Sequence, residues 1–204
     1  YVTGYADKAL EYYTSASDVF RELGEDLMLS KVQNNIGILY YEDKDYEEAL
    51  KYYNVAIQGY QRSGDELAIC ATYGNMSLCF FELDQIESAF DYIHRSRIFA
   101  IKNGSIVDEI SAYVNIGAFY IGTMQLDSAN YYLSKALIKA KGNNLKPLIE
   151  EAYYELTNLF SVKGEYETAF AFQLKYYELH DEMHEENSKL RIQKLMSSYE
   201  QTLK

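Results

Sequence analysis

At 204 residues, with one Pro, no Trp, 22 Tyr and 48% hydrophobic residues, the chain has apolar material for a packed core and few of the breakers that punctuate β-proteins. Its 31 acidic and 19 basic residues give a formal charge of −12. Such a surface repels phosphate backbones, which argues against nucleic-acid binding, and it favours basic or neutral partners. No stretch approaches the roughly 18 uninterrupted apolar residues of a membrane span, so membrane insertion by this segment is not expected. The chain opens at Tyr1 without an initiator Met or a signal-peptide pattern, which reads as a fragment or a processed form.

In chain order, the first predicted helix starts near Ala6 and stops at Gly24-Glu25-Asp26. Helices are then predicted over 27–42 and 46–62, ending at Gly64-Asp65. The next pair covers 66–82 and 86–102 and ends at Asn103-Gly104-Ser105. A third covers 106–122 and 125–141 and ends at Gly142-Asn143-Asn144. The last pair is 147–162 and from 165 onward, with Pro147 in a first turn, where its missing N–H costs nothing. Cys70 and Cys79 fall in one predicted helix, roughly 13 Å apart along its axis, beyond disulfide reach; they read as small buried apolar residues.

From Glu165 to Lys204 there is neither Gly nor Pro, so one long helix is expected. Its far end carries Ile192, Leu195, Met196, Tyr199 and Leu203 at i, i+3, i+4, i+7 and i+11, a stripe that must pack on something. It either folds back as a cap, forms a coiled coil that would make the chain a dimer through this helix, or leads into a further domain.

The helices repeat. Ala9, Ala49, Ala89, Ala129 and Ala169 recur at one constant interval without a slip. Twelve residues before the last four stand Gly37, Ser77, Gly117 and Thr157, and three residues after each of these comes Tyr40, Phe80, Tyr120 or Phe160. Small residues let neighbouring helices approach, and aromatics at helical spacing fill the gaps between them.

This grammar resembles the tetratricopeptide repeat, read most completely in Gly37, Tyr40, Tyr46, Ala49, Tyr53 and Ala56. The resemblance implies an all-α, right-handed superhelical solenoid of antiparallel helix pairs, with about 4.5 repeats and a long C-terminal helix. The array would cover 1–180, with repeats near 1–24, 25–64, 65–104, 105–144 and 145–180, and 181–204 would be a helical extension. The period is longer than the roughly 34 residues usual in this family and lies in the range of HEAT and armadillo arrays. The Gly/Ala/Tyr grammar and the Asp45-Tyr46 and Glu165-Tyr166 turns favour the tetratricopeptide reading. The fifth unit is degenerate, with Gln173 and Tyr176 where an aromatic and an alanine belong.

In this family the first helix of each pair (helix A) lines the binding groove. Asn35, Asn75 and Asn115, again one period apart, would then form a ladder of amides along it, and the fourth unit breaks the series with Glu155. An amide offers an acceptor and two donors, enough to hold both backbone groups of an extended peptide, as similar ladders do in kinesin light chains and spindle-orientation adaptors. Alternatively, each Asn ties down a neighbouring helix end. Lys31, Asn34, Ile38, Tyr41, Leu78, Phe81, Val114, Ala118, Ile121, Tyr154 and Asn158 are expected to face the same groove. That set is more apolar than charged and lacks the basic clamp of a chaperone-tail receptor, so a hydrophobic segment or an amphipathic helix would suit it.

No phosphate-binding loop, Ser/His/Asp grouping or Cys/His cluster is present, so neither catalysis nor a cofactor or metal is expected. His180 and His184 have a chelating i, i+4 spacing without a third ligand and read as a polar helix face, and His94 stands alone. The expected function is a scaffold that binds a protein or peptide ligand in its groove. The tail around His184-Glu185-Glu186-Asn187 and Arg191-Ile192-Gln193-Lys194 also resembles the stalk of bacterial sensor-regulators, in which a repeat array precedes a membrane span and an output domain. A third expectation is a peptide-pheromone receptor, since the long-repeat bacterial receptors resemble this period.

Overall fold

A computed structural model describes the backbone of residues 3–202 and the side chains of residues 8–185. Among the described residues every regular element is an α-helix: α1 (Thr3–Leu23), α2 (Asp26–Glu42), α3 (Tyr46–Ser63), α4 (Glu66–Glu82), α5 (Ile86–Lys102), α6 (Ile106–Gly122), α7 (Leu126–Gly142), α8 (Lys146–Val162) and α9 (Tyr166–Thr202). One period resolves into two helices of 17 residues and two turns of three, as in α4 and α5 with their turns 83–85 and 103–105. α2, α4, α6 and α8 are the first helices of their pairs. α1 is a second helix (helix B) that begins three residues before its expected start, and α9 runs unbroken for 37 residues, as its lack of breakers required. The stripe from Ile192 to Leu203 lies outside the described side chains.

The turns repeat as faithfully as the helices. Each helix B ends on a residue with left-handed backbone: Gly24, Gly64 and Gly104 at φ 69, 72 and 69°, then Asn144 at 54°. In the fourth stop, Gly142-Asn143-Asn144, the left-handed turn falls on the second asparagine and not on the glycine. Gly142 is the last residue of α7, two residues early, and the left-handed site falls on Asn144, the residue type that tolerates it best after glycine. The turns inside the pairs put Lys44, Asp84 and Met124 in the same conformation, at φ 64, 57 and 60°. Caps then start the following helices: the carboxylates of Asp45 and Asp65 accept from the backbone N–H of Glu48 and Ala68. Pro147 sits in the first turn of α8, as expected.

The chain forms two compact units, Tyr1–Phe119 and Tyr120–Lys204. In the first, Ala49, Tyr53 and Ile57 of α3 pack on Met76 and Cys79 of α4, ringed by Tyr41, Tyr46, Leu50 and Phe80. Complete burial of a side chain such as Met76 contributes roughly 1.5–3 kcal/mol. Ala56 and Tyr60 of α3 form a second cluster with Ile69 of α4. Both cysteines are buried and not in a disulfide, and burial pushes the Cys79 thiol up to about 12, so it stays protonated. In the second unit Ala129, Leu133, Ala136 and Ala140 of α7 are fully buried, as are Ala152 and Leu159 of α8. Phe160 stacks on Phe172 of α9 at 5.5 Å. The degenerate fifth unit shows its cost: Gln173 is exposed and Tyr176 half-buried at the positions where α7 buries Leu133 and Ala136.

At Gly37 the helices α2 and α3 meet in tight contact. A Cβ there would meet the Tyr53 ring at 2.6 Å, and that ring is 1% exposed with nowhere to move. At Gly74, also inside a helix, a Cβ would meet only Ser96 Oγ, at 3.6 Å. Gly37→Ala is therefore expected to destabilise by about 1–2 kcal/mol, overpacking outweighing the better helix propensity. Gly74→Ala is expected to stabilise by up to about 1 kcal/mol. Urea titration followed by circular dichroism checks both, and equal effects at the two sites would contradict this packing.

Candidate functional site

In the first unit the helix A register brings Asn35, Asn75 and Asn115 to corresponding places on α2, α4 and α6, each half-buried. Among the described residues none of the three side chains hydrogen-bonds to a protein group, and none of their polar atoms is sealed from solvent. The neighbouring Asn34 behaves differently. Its Oδ1 lies 3.1 Å from Thr72 Oγ1 of α4, a hydroxyl that also reaches the Ala68 carbonyl at 2.7 Å. Asn34 therefore joins α2 to α4, the structural role that the ladder amides do not fill.

The other expected groove residues divide. Lys31 is exposed, and Ile38, Leu78 and Ala118 are half-buried. Val114 corrects the sequence reading: it is 5% exposed and belongs to the core. Phe81 is stacked on Phe119 of α6 at 4.3 Å with planes 7° apart, which commits its ring to holding α4 on α6. Tyr41 packs against Tyr46 at 5.4 Å, and burial, reinforced by the Glu82 carboxylate, pushes its phenol up to about 12. Tyr41 stays neutral and structural.

One cleft was not foreseen. Between α4, α5 and α6 a cavity of about 170 Å³ is lined by Ala71, Gly74 and Asn75, by Ile93 and Ser96, and by Asp108, Ser111, Ala112 and Asn115. It contains two consecutive ladder amides. The available signal was Gly74, a glycine in mid-helix where the preceding repeat carries Asn34.

In the second unit Ile121 is half-buried near the end of α6, Tyr154 is 53% exposed, and Asn158 donates from Nδ2 to Glu155 at 3.3 Å. Burial raises the Glu155 carboxyl above the usual carboxylate range. His180 is more than a solvated residue. Its Nδ1 lies 2.5 Å from Glu150 Oε1, its ring stacks on Tyr176, and His184 meets it edge-on, so the motif fastens α9 to α8. His94 sits beside the Phe90 ring, with its pKa lowered by burial and by Arg97. No group of three His, Cys, Asp or Glu side chains suited to a metal occurs among the described residues. No helix of the described residues is long and apolar enough to cross a membrane.

The tetratricopeptide repeat profile matches residues 3–62 and 29–97. No curated protein matches the chain in sequence. Among solved structures it is similar to BtubC from P. vanneervenii, with a TM-score of 0.71 at 20% identity, covering 89% of this chain and 76% of that one. It is similar to aspartyl phosphate phosphatase F from Bacillus subtilis, with a TM-score of 0.77 at 16% identity, over 88% of this chain and 48% of that one. It also resembles the Rap conjugation gene regulator of the plasmid pLS20 in complex with the Phr* peptide, with a TM-score of 0.69 at 20% identity, over 78% and 44%. The chain thus spans about half the length of the latter two proteins. At these identities the likeness establishes the fold, an all-α helical repeat.

Glu155 gives this site a pH signature. Its folded-state pKa lies above the unfolded value, so the protonated form stabilises the fold. That stability is present at low pH and is lost as pH rises from the unfolded value of about 4.3 through the raised folded one. Glu155→Gln should therefore be more stable than the parent chain at pH 7, with the difference shrinking as pH falls below about 4. Thermal melts across pH 3–8 test this. A difference independent of pH would show that the carboxylate is not the cause.

Proposed function

This chain is a tetratricopeptide-repeat protein, and we propose that its helix A face is a scaffold for an extended peptide, held by the amides of Asn35, Asn75 and Asn115. The observation that carries this reading is that these three side chains share one register and make no hydrogen bond within the described protein. A polar group spent on helix packing would be bonded to a neighbouring helix, as Asn34 is to Thr72. An amide left open can accept from a peptide N–H and donate to a peptide carbonyl without reading the peptide's sequence. Ile38, Leu78 and Ala118 beside the ladder would receive apolar side chains. The role is binding, with no chemistry of its own on the ligand.

Two narrower versions have support. Similarity to the Rap regulator in complex with the Phr* peptide favours a receptor for a short signalling peptide. Such a receptor should compact on binding, measured as a smaller radius of gyration in solution scattering. The length of α9, 37 residues against 17 in its partner α8, favours an input segment that passes a signal along a helix to an output elsewhere, as in a membrane-tethered regulator.

The direct test is to select peptides by display on this chain and measure their affinity for the triple variant Asn35→Ala, Asn75→Ala, Asn115→Ala. Each amide–backbone hydrogen bond is worth about 1 kcal/mol net, so the variant should bind on the order of 100-fold more weakly. Unchanged affinity with an intact helical spectrum would show that the ladder is not the site.

A further inference from the structure

The seams between successive first helices are built differently in the first unit. Between α2 and α4 the side chains of Asn34 and Thr72 meet and close the seam. One repeat on, between α4 and α6, the same two register positions hold Gly74 and Ala112, and the cavity of about 170 Å³ lies there. Both side chains are truncated together, and nothing from the neighbouring helices fills the space. The volume is far more than the roughly 10–15 Å³ one water needs, and is enough for several heavy atoms.

Ile93 at 0% and Ser96 at 4% exposure make the floor, and Ala112 at 1% one wall. Asn75, Asn115, Ser111 and Asp108 are half-buried around the mouth. The lining contains one charge, the carboxylate of Asp108, and no basic side chain. Ser105 Oγ donates to Asp108 Oδ2 at 2.5 Å, which holds the carboxylate in place, and among the described residues Oδ1 has no partner. A carboxylate fixed at a partly enclosed polar cleft attracts a cation more strongly than one in open water. The serine and asparagine oxygens supply acceptors for the remaining N–H groups.

We propose that this open seam is a subsite for the ammonium or guanidinium end of a lysine or arginine side chain, with Asp108 as its counter-charge. For the cation to belong to a peptide, the subsite rests on the peptide-binding reading given above. Asn75 and Asn115 would then hold the main chain on either side of the residue whose side chain descends between them.

The experiment uses the whole ¹⁵N-labelled chain and follows the side-chain amide resonances of Asn75 and Asn115 by NMR. The probes are n-butylammonium, n-butylguanidinium and, as an uncharged control, n-butanol. Both cations should shift these resonances saturably and bind at least ten-fold more tightly than the alcohol. Asp108→Asn should weaken the cations about ten-fold. Gly74→Asn with Ala112→Thr, which copies the closed seam, should abolish saturation; a Cβ at position 74 meets only Ser96 Oγ, at 3.6 Å, and the cavity of about 170 Å³ takes the remaining atoms of both side chains.

A non-saturating drift that is the same in both variants would overturn the subsite, being general attraction to an acidic chain, and so would equal binding of the alcohol. Peptides that need the ladder but show no excess of lysine or arginine, and bind Asp108→Asn unchanged, would remove the subsite and leave the peptide reading standing. Saturable cation binding with no peptide selected would do the reverse.

Discussion

Gly37 against the face of Tyr53 is the contact on which the first unit depends. Its closeness requires a residue without a side chain, and the alanines of the second helices, all at 0% from Ala49 to Ala129, extend the same rule along the chain. Helices packed that tightly leave few ways for one to sit on the next. Helices of near-equal length joined by three-residue turns then reproduce the arrangement once in every period. A polar side chain placed once on the open face of a first helix is thereby placed again in each repeat that keeps it.

That geometry separates polar groups that have been used from those that have not. Thr72 closes a seam with Asn34, Cys70 Sγ lies 3.1 Å from the Ser96 carbonyl, and Glu150 holds His180 across α8 and α9. These contacts are structural, and each satisfies a group that would be costly to bury alone. Asn35, Asn75 and Asn115 have no such partner among the described residues. Their open hydrogen-bonding capacity, set beside half-buried apolar residues of the same helices, is the reason to propose this face as the binding site.

Much of this was legible in the sequence, for a physical reason. Alanines and glycines at a fixed period report close helix contact, and a left-handed turn announces itself by glycine, so the helices fall within a few residues of their expected limits. The period also places Asn35, Asn75 and Asn115 in one register, because the register that repeats the core repeats the face opposite it. It does not say which neighbour fills a given gap. Val114 is buried and Phe81 is stacked on Phe119 because a particular partner faces each of them, and one helix's pattern carries no record of its neighbour. Within the stop expected at Gly142-Asn143-Asn144, Asn144 takes the left-handed turn because turn geometry, set by the helix before it, outranks the glycine's location. The open seam at Gly74 required two repeats to be compared position by position.

If the three ladder amides are unused in the free protein, exchange of their side-chain NH₂ protons with water measures it directly. Asn54, Asn103 and Asn143, which donate to the carbonyls of Leu50, Phe99 and Lys139 at 2.8–2.9 Å, provide the bonded comparison within the same chain. Asn35, Asn75 and Asn115 should exchange faster than these three and be slowed only when a ligand is bound. Slow exchange in the free protein, with couplings to protein carbonyls, would contradict it and make the ladder part of the scaffold.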